Sequence, residues 1–359
     1  MAHRFMTTHK PLQLGVLGAA GILRKKNWQA IQLSGNVQLV ALATRQPART
    51  REFIAERQAA APMTVSPEPH ESYAALLADP RIEAVYLPLP TVLRKEWAIR
   101  AAEAGKHVIS EKPGAVNLAE LEEILTACQR NGVQFMDGVM FMHNPRLDAL
   151  RPLLNADPRI GRVRRITSVF SFLGTEDFAQ RNIRAQAALE PAGCLGDLGW
   201  YCLRFSLWVV HWQRPRQVSG RILAANADGV PLDFSGELRF DDDVSAGFHC
   251  SFRAAGQQWA NVSGAQGALR VPDFVLPNSE NPVAWEVNYQ PTLKSDVDLY
   301  LDTATTAAAQ EALMFRNFAR QVRSGTLNND WPAMARQTQQ VMDACLASAR
   351  AGGQWVAMA

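Results

Sequence analysis

The sequence predicts an α/β protein in two parts, and three observations carry that reading. Over about the first 140 residues, short apolar runs alternate with amphipathic segments, the pattern of strand–helix crossovers onto a parallel sheet. A turn of small residues, Gly18-Ala19-Ala20-Gly21, follows the first apolar run and opens the first amphipathic segment. Beyond that region the texture changes to two-residue alternation, as half-buried antiparallel strands require.

The first strand is expected at residues 12–17, interrupted only by Gln13 and Gly15. A helix over 24–33 follows and stops at Ser34-Gly35, where glycine suits a closing residue. A strand over 37–43 ends in Thr44-Arg45, and a helix over 48–61 stops before Pro62. A short helix is expected at 73–78, a strand at 84–89 and a helix at 94–104 closed by Gly105. The strand at 108–110 leads to a helix at 118–130 with Leu118, Leu121, Leu125 and Cys128 on one face, then a strand at 133–136. These strands are solid apolar runs, as strands buried on both faces are.

A linking helix over 144–154 opens the second part, and His143, followed by Asn144-Pro145, is expected to cap it. Residues 232–240 and 244–252 alternate apolar and polar side chains. Asp241-Asp242-Asp243 between them reads as a solvated hairpin tip rather than a metal site. Amphipathic helices at 311–324 and 333–351 close the chain. The expected division is 12–141 and 142–359.

With 359 residues, 47% of them hydrophobic and 20% charged, the chain is long enough for two cores. A net charge of +3 and the lack of basic runs interleaved with aromatics argue against nucleic-acid binding. No apolar run approaches the roughly 20 residues of a membrane span. Residues 1–11 lack the apolar core of a signal peptide and are expected to be a frayed terminus. The five cysteines have neither C-x-x-C nor metal-ligand spacing, which fits a reducing, cytoplasmic setting.

Chemistry is expected at Glu111-Lys112-Pro113. Pro113 cannot continue a strand, so the chain turns and places an ammonium at the carboxyl end of the sheet, where open α/β sheets bind ligands. The Lys112–Pro113 bond is expected to be cis, fixing the lysine's direction. At the Gly18 turn, small residues would let the backbone approach a pyrophosphate at a helix N-terminus. The glycine pattern there is incomplete, with Ala20 at the second position and Leu23 at the third. Where an acidic residue would hold the ribose of NAD, the chain has Thr44-Arg45 and then Arg49. A hydroxyl and guanidinium groups suit a 2′-phosphate, so NADP is the expected cofactor.

Several segments together resemble the glucose–fructose oxidoreductase / inositol dehydrogenase (Gfo/Idh/MocA) family. They are the Gly18 turn, residues 84–90, 96–100, 104–108, Glu111-Lys112-Pro113 and residues 193–201. The resemblance spans nearly the whole chain and is nearest the branch of dimeric dihydrodiol dehydrogenases and NADP-dependent D-xylose dehydrogenases. It implies an N-terminal Rossmann dinucleotide-binding domain and a C-terminal α/β domain with a large, mostly antiparallel sheet. It implies a small-molecule substrate and a homodimer or homotetramer formed through that sheet. It implies catalytic roles for Lys112 and Tyr201, which would share the proton work, and for Asp197, which would orient them. The cofactor would meet Gly18, Ala20, Ile22, Leu23, Thr44, Arg45, Arg49, Leu87, Pro88, Leu89, Glu111, Lys112 and Arg184. Asp197 and Tyr201, four apart, would share one helix face.

The chain departs from the family pattern where Asn and His become Thr91 and Arg94, and where a Trp-Arg pair becomes Ile183-Arg184. Arg181, Asn182 and Arg184 are candidates for a polar substrate or the cofactor carboxamide. The implied activity is hydride transfer to or from a secondary hydroxyl or carbonyl of a sugar, polyol or trans-dihydrodiol. A non-catalytic nucleotide sensor on the same fold is the alternative, and an enzyme that retains its cofactor between two substrates is another.

Overall fold

The computed structural model describes residues 10–278, 280–296 and 309–358. Most of the expected frayed terminus, residues 1–9, lies outside them.

The first sheet takes β1 (Leu12–Leu17), β2 (Val37–Ala43), β3 (Glu68–His70), β4 (Ala84–Leu87), β5 (His107–Ser110) and β6 (Phe135–Asp137). All pair in parallel in the order β3-β2-β1-β4-β5-β6, the doubly wound Rossmann order. The strand β3 has no counterpart in the sequence reading. It is a three-residue edge strand with a proline in its middle, so it shows no apolar run. Strand β6 begins two residues later than expected and carries Asp137 at its end.

The crossovers are α1, α2 (Pro47–Ala60), α3 (Tyr73–Ala78), α4 (Thr91–Glu103) and α5 (Leu118–Arg130). Helix α1 opens with a π-helical turn, Leu23–Asn27, continues over Trp28–Ser34, and ends on Gly35 at φ 76°. Asn117 caps α5 by accepting from the Glu120 amide at 3.0 Å.

A 3₁₀ turn, Met140–His143, leads to α6 (Arg146–Ala156). His143 does not cap this helix: the Asn144 Oδ1 accepts the Arg146 amide at 2.9 Å. The short amide side chain reaches back to an orphan helix amide, whereas the imidazole turns toward Asn317 and Trp331.

The second sheet takes β7 (Val163–Ser171), β8 (Gln217–Ala225), β9 (Pro231–Arg239), β10 (Ser245–Ser251), β11 (Gln257–Gly264), β12 (Ala268–Val271), β13 (Val283–Val287), β14 (Gln290–Leu293) and β15 (Val356–Ala357). Their order is β14-β13-β12-β11-β7-β10-β9-β8-β15, and among the described residues only β7 and β10 of this sheet pair in parallel. At the β9–β10 tip, Asp242 and Asp243 both take φ 60°, and Asp242 pairs with exposed Arg162. One face of the sheet packs on α8 (Trp200–Val209), whose residues are all buried. Between β7 and α8 lie the short helix α7 (Glu176–Arg181) and a second π-helical turn, Leu195–Gly199.

Helices α9 (Ala309–Arg323) and α10 (Asp330–Arg350) return to the first sheet. The Arg316 guanidinium donates to the Ser34 and Leu33 carbonyls at the end of α1. On the other side, buried Arg204 of α8 pairs with buried Asp137 of β6 and donates through Nε to Thr338 of α10 at 2.7 Å. Breaking a buried pair from one side strands a charge. Arg204→Met should therefore destabilise the fold by about 3–5 kcal/mol. Arg204→Met combined with Asp137→Leu should recover part of that loss, as read from urea unfolding midpoints.

Candidate active site

A cleft of about 640 Å³ runs along the carboxyl edge of the first sheet and under the second. Parallel strands bring their carboxyl ends to one edge, so residues remote in sequence meet there. Ala20, Gly21, Ile22, Pro88, Leu89, Glu111, Lys112, Arg184, Asp197 and Tyr201 line it. Gly18 stands at φ 115°, where a Cβ would also come within 3.2 Å of Leu89 Cδ2, so glycine is required. Leu23 and Leu87, expected to meet a cofactor, are instead fully buried core residues. The helix and strand periodicities turn them inward, away from the cleft.

Both π-helical turns deliver groups to this cleft. The first closes from the Trp28 amide to the Leu23 carbonyl and the second from the Trp200 amide to the Leu195 carbonyl. The wider turn re-aims the residues within it, a device frequent at functional sites. Lys25, Lys26 and Asn27 of the first, and Asp197 and Leu198 of the second, line the cleft.

At its centre the Lys112 Nζ donates to the Asp197 carboxylate at 2.8 Å and to the Asp197 carbonyl at 2.5 Å. The Arg184 Nε pairs with the other carboxylate oxygen, also at 2.8 Å. The Lys112–Pro113 bond is cis, as expected. Burial pushes the Asp197 carboxyl up, but the Arg184 and Lys112 charges outweigh it and hold the group well below the usual range. The Lys112 Nζ also stands 4.7 Å from the centroid of the Tyr201 ring. It is the face of Tyr201, not its hydroxyl, that meets the lysine. The hydroxyl donates to the Met140 sulfur at 3.6 Å, a weak acceptor. Burial, then the Glu111 and Asp197 charges, keep the phenol pKa well above its ordinary value. An ammonium has three protons; two go to Asp197, and the third meets no acceptor among the described residues.

Beside this group, the Tyr86 hydroxyl donates to Glu111 Oε1 at 2.6 Å and accepts from the Asn27 amide at 2.6 Å. Burial raises the Glu111 pKa. The Asn27 Oδ1 is buried and finds no partner among the described residues.

The departures at Thr91 and Arg94 form a unit of their own. Buried Arg94 donates to the Leu89 carbonyl at 2.8 Å, to the Thr91 hydroxyl at 2.9 Å and to the Pro113 carbonyl. Glu190 accepts the Thr91 amide at 3.0 Å. The two loops that frame the cleft are thus tied to each other.

Just after β2, the Thr44 hydroxyl donates to the Gln46 carbonyl and accepts from Gln46 and Thr50. Its hydrogen bonds serve the start of α2. Arg45 and Arg49 are exposed and make no ion pair among the described residues. Both act electrostatically on Tyr73, whose hydroxyl lies 3.9 Å from the Cβ position of Gly18. Arg181 pairs with Asp177 on the exposed side of α7, and the Asn182 Oδ1 accepts the Arg184 amide.

The glycine turn, the helix start beyond it and the buried, unpartnered Asn27 oxygen are the features a dinucleotide needs. Sequence reading missed Lys25, Lys26 and Asn27, although they stand one turn beyond the glycine turn. It also missed Glu311 and Met314 of α9, which carry no local signal. Glu311 pairs with Lys26 at 3.2 Å across almost the whole chain. A separate cavity of about 410 Å³ behind β6, lined by His143, Arg204 and Trp331, shares no residue with the cleft. Burial and nearby Arg204 lower the His143 pKa to about 4, so its ring is neutral.

Asp197 binds its proton more weakly folded than unfolded. Its contribution to stability is therefore present above about pH 4 and is lost as pH falls below that. Asp197→Asn should lower stability at pH 7 by about 3 kcal/mol. The gap to the parent should narrow between about pH 5 and pH 2, as read from thermal midpoints across pH.

The oxidoreductase family model GFO_IDH_MocA, with an NAD-binding Rossmann fold, matches residues 12–139, and the GFO/IDH/MocA C-terminal domain model matches residues 152–270. The dTDP-3,4-didehydro-2,6-dideoxy-alpha-D-glucose 3-reductase of Saccharopolyspora spinosa is 30% identical, over 93% of this chain and 94% of its own length. The D-xylose 1-dehydrogenase (NADP(+)) 2 of Haloferax volcanii is 29% identical, over 95% and 98%. The trans-1,2-dihydrobenzene-1,2-diol dehydrogenase of Bos taurus is 30% identical over 66% of each chain. In fold, the 3-ketoreductase KijD10 of Actinomadura kijaniata, solved with NADP and TDP-benzene, superposes with a TM-score of 0.78 at 24% identity, covering 94% of this chain and 98% of its own. The expected xylose and dihydrodiol dehydrogenases are among the relatives, and dTDP-sugar reductases, which the sequence reading did not name, join them. The chain belongs to the Gfo/Idh/MocA oxidoreductase family.

Proposed function

We propose that this chain is an NADP(H)-dependent oxidoreductase that moves a hydride between the nicotinamide and a secondary hydroxyl or carbonyl of a sugar, polyol or trans-dihydrodiol. The observation that carries the reading is the Lys112 ammonium. It is held by Asp197, with one N–H that meets no acceptor among the described residues, in the cleft that Ala20, Gly21 and Ile22 line. The relatives' activities on sugar keto groups, on D-xylose and on a dihydrodiol support the same reaction class.

The nicotinamide, when bound, supplies the hydride donor or acceptor. The chain's residues bind, orient and move the proton. Ala20, Gly21 and Ile22 line the cleft at the start of α1, where their backbone amides would hold the pyrophosphate, with Lys25 and Lys26 one turn on. Pro88 and Leu89 form an apolar wall, and Glu111 and Asn27 would hold the ribose and carboxamide region. In reduction, the free N–H of Lys112 gives its proton to the substrate oxygen; in oxidation, the neutral amine takes it back. The Tyr201 hydroxyl leaves Met140 and donates to that same oxygen. Asp197, fixed by Arg184, sets the direction of the lysine.

Lys112→Met should bind NADPH with little change in Kd by fluorescence titration yet lose about 10²–10⁴-fold in turnover. Retained turnover would end the assignment. The 2′-phosphate is assigned to Arg45 and Arg49. Reversing both charges, with Arg45→Glu and Arg49→Glu, should weaken NADPH binding about 10–100-fold, as expected for charge-assisted hydrogen bonds. NADH binding should change little, and equal loss for both cofactors would place the phosphate elsewhere.

A further inference from the structure

The second cavity, of about 410 Å³ behind β6, falls within the size range of small-molecule pockets. One stretch of chain separates it from the cleft. Met136, Asp137, Val139, Met142 and His143 line the cavity, whereas Gly138 and Met140, between them in sequence, line the cleft. The two spaces therefore stand back to back across the end of β6 and the 3₁₀ turn that follows it. Helices α9 and α10 close the cavity from the other side, through Arg320 and Trp331 among others.

Much of the lining is apolar: Met136, Met142, Met334, Val139 and Trp331. Methionine side chains adapt to irregular shapes. The Trp331 ring is braced by Phe318, stacked at 6.2 Å, and by His143, edge to face at 5.9 Å. The ionised members are Asp137, Arg204 and Arg320. Buried Arg204 is neutralised by Asp137. Arg320 is exposed, and its guanidinium makes no ion pair or hydrogen bond among the described residues. Its charge falls on another cation, Arg316, whose pKa is lowered by burial and then by Arg320. His143 adds no charge, because its ring is neutral, and its Nδ1 accepts the Asn317 amide at 3.3 Å. One positive charge is left over beside an apolar surface.

We infer that this cavity is a second ligand site, separate from the cleft, for a small monocarboxylate with an apolar body. The guanidinium of Arg320 offers a planar fork that matches a carboxylate. The body of the ligand then lies against Trp331 and the methionines and loses its contact with water. A dianion fits less well, since its second charge would be buried with no cation to meet it. A neutral polyol fits less well too, since its hydroxyls would be desolvated against methionine and indole.

Isothermal titration of the full chain with 3-phenylpropionate and with its uncharged amide, 3-phenylpropanamide, tests the site. The acid should bind with a Kd below about 1 mM and at least about tenfold more tightly than the amide. Arg320→Ala should abolish most of that preference, and Arg320→Lys, which keeps the charge but not the fork, should retain part of it. Because Arg320 is exposed, both variants should keep the parent's thermal midpoint. Trp331→Leu should weaken acid and amide alike. Arg184→Ala, which alters only the cleft, should leave both affinities unchanged. A Kd for the acid above about 1 mM would overturn the inference, as would a preference for the acid that survives Arg320→Ala. Loss of acid binding in Arg184→Ala but not in Arg320→Ala would place the carboxylate in the cleft and overturn it as well.

Discussion

A carboxylate withdrawn from water between two cations is the interaction on which the site depends. Burying an ion costs several kcal/mol, and a partner at good geometry offsets that only while it stays in place. The Asp197 carboxylate is held on one oxygen by Lys112 and on the other by Arg184. Those groups come from the end of β5, from the turn after β7 and α7, and from the π-helical turn before α8. Removing Asp197 or Lys112 leaves a largely buried charge without its partner, whereas Arg184, 41% exposed, stays solvated. The interaction therefore locks the carboxyl edge of the first sheet to the second, and it fixes the lysine without a covalent link.

The same logic recurs around the cleft. Arg204 joins β6, α8 and α10 through Asp137 and Thr338, and Arg146 joins α6 to the segment after β12 through Asp273, which also accepts Lys294. That segment carries Val275 and Leu276 to the cleft wall. Polar groups that are satisfied by one another are pre-organised and cost no rearrangement when a ligand arrives. Among the described residues they leave one lysine proton, the Arg184 Nη groups and a set of aromatic faces open to the cleft.

The departures from the family pattern are compensated rather than missing. Thr91 and Arg94, in place of Asn and His, form a linked set with Glu190 that ties the Pro88-Leu89-Pro90 loop to Pro113. Ile183, in place of the tryptophan, lies exposed at the rim, while Arg184 keeps an ionic partner. The glycine turn, with Ala20 and Leu23 at its second and third glycine positions, keeps Gly18, the position in that turn where positive φ and a close neighbour both demand it.

The sequence by itself determined the order and type of the long elements, because strand and helix periodicities are local. Helices 73–78 and 118–130 match their expected bounds, and the two alternating strands fall within a residue of theirs. It also placed Lys112 at a sheet edge, since a proline after an apolar run must end a strand. It had no means to find β3, whose three residues lack a pattern, or the π-helical turns, which one-turn spacing does not reveal. Only the tertiary structure decided that Leu23 and Leu87 face the core, that Thr44 serves its own loop, and that Tyr201 offers its face to the lysine. It alone brought Glu311 to Lys26 and Phe178 to Phe252. Such contacts join elements far apart in the chain, and their partners are chosen by packing and the pairing of buried charge, neither of which leaves a periodic trace in sequence.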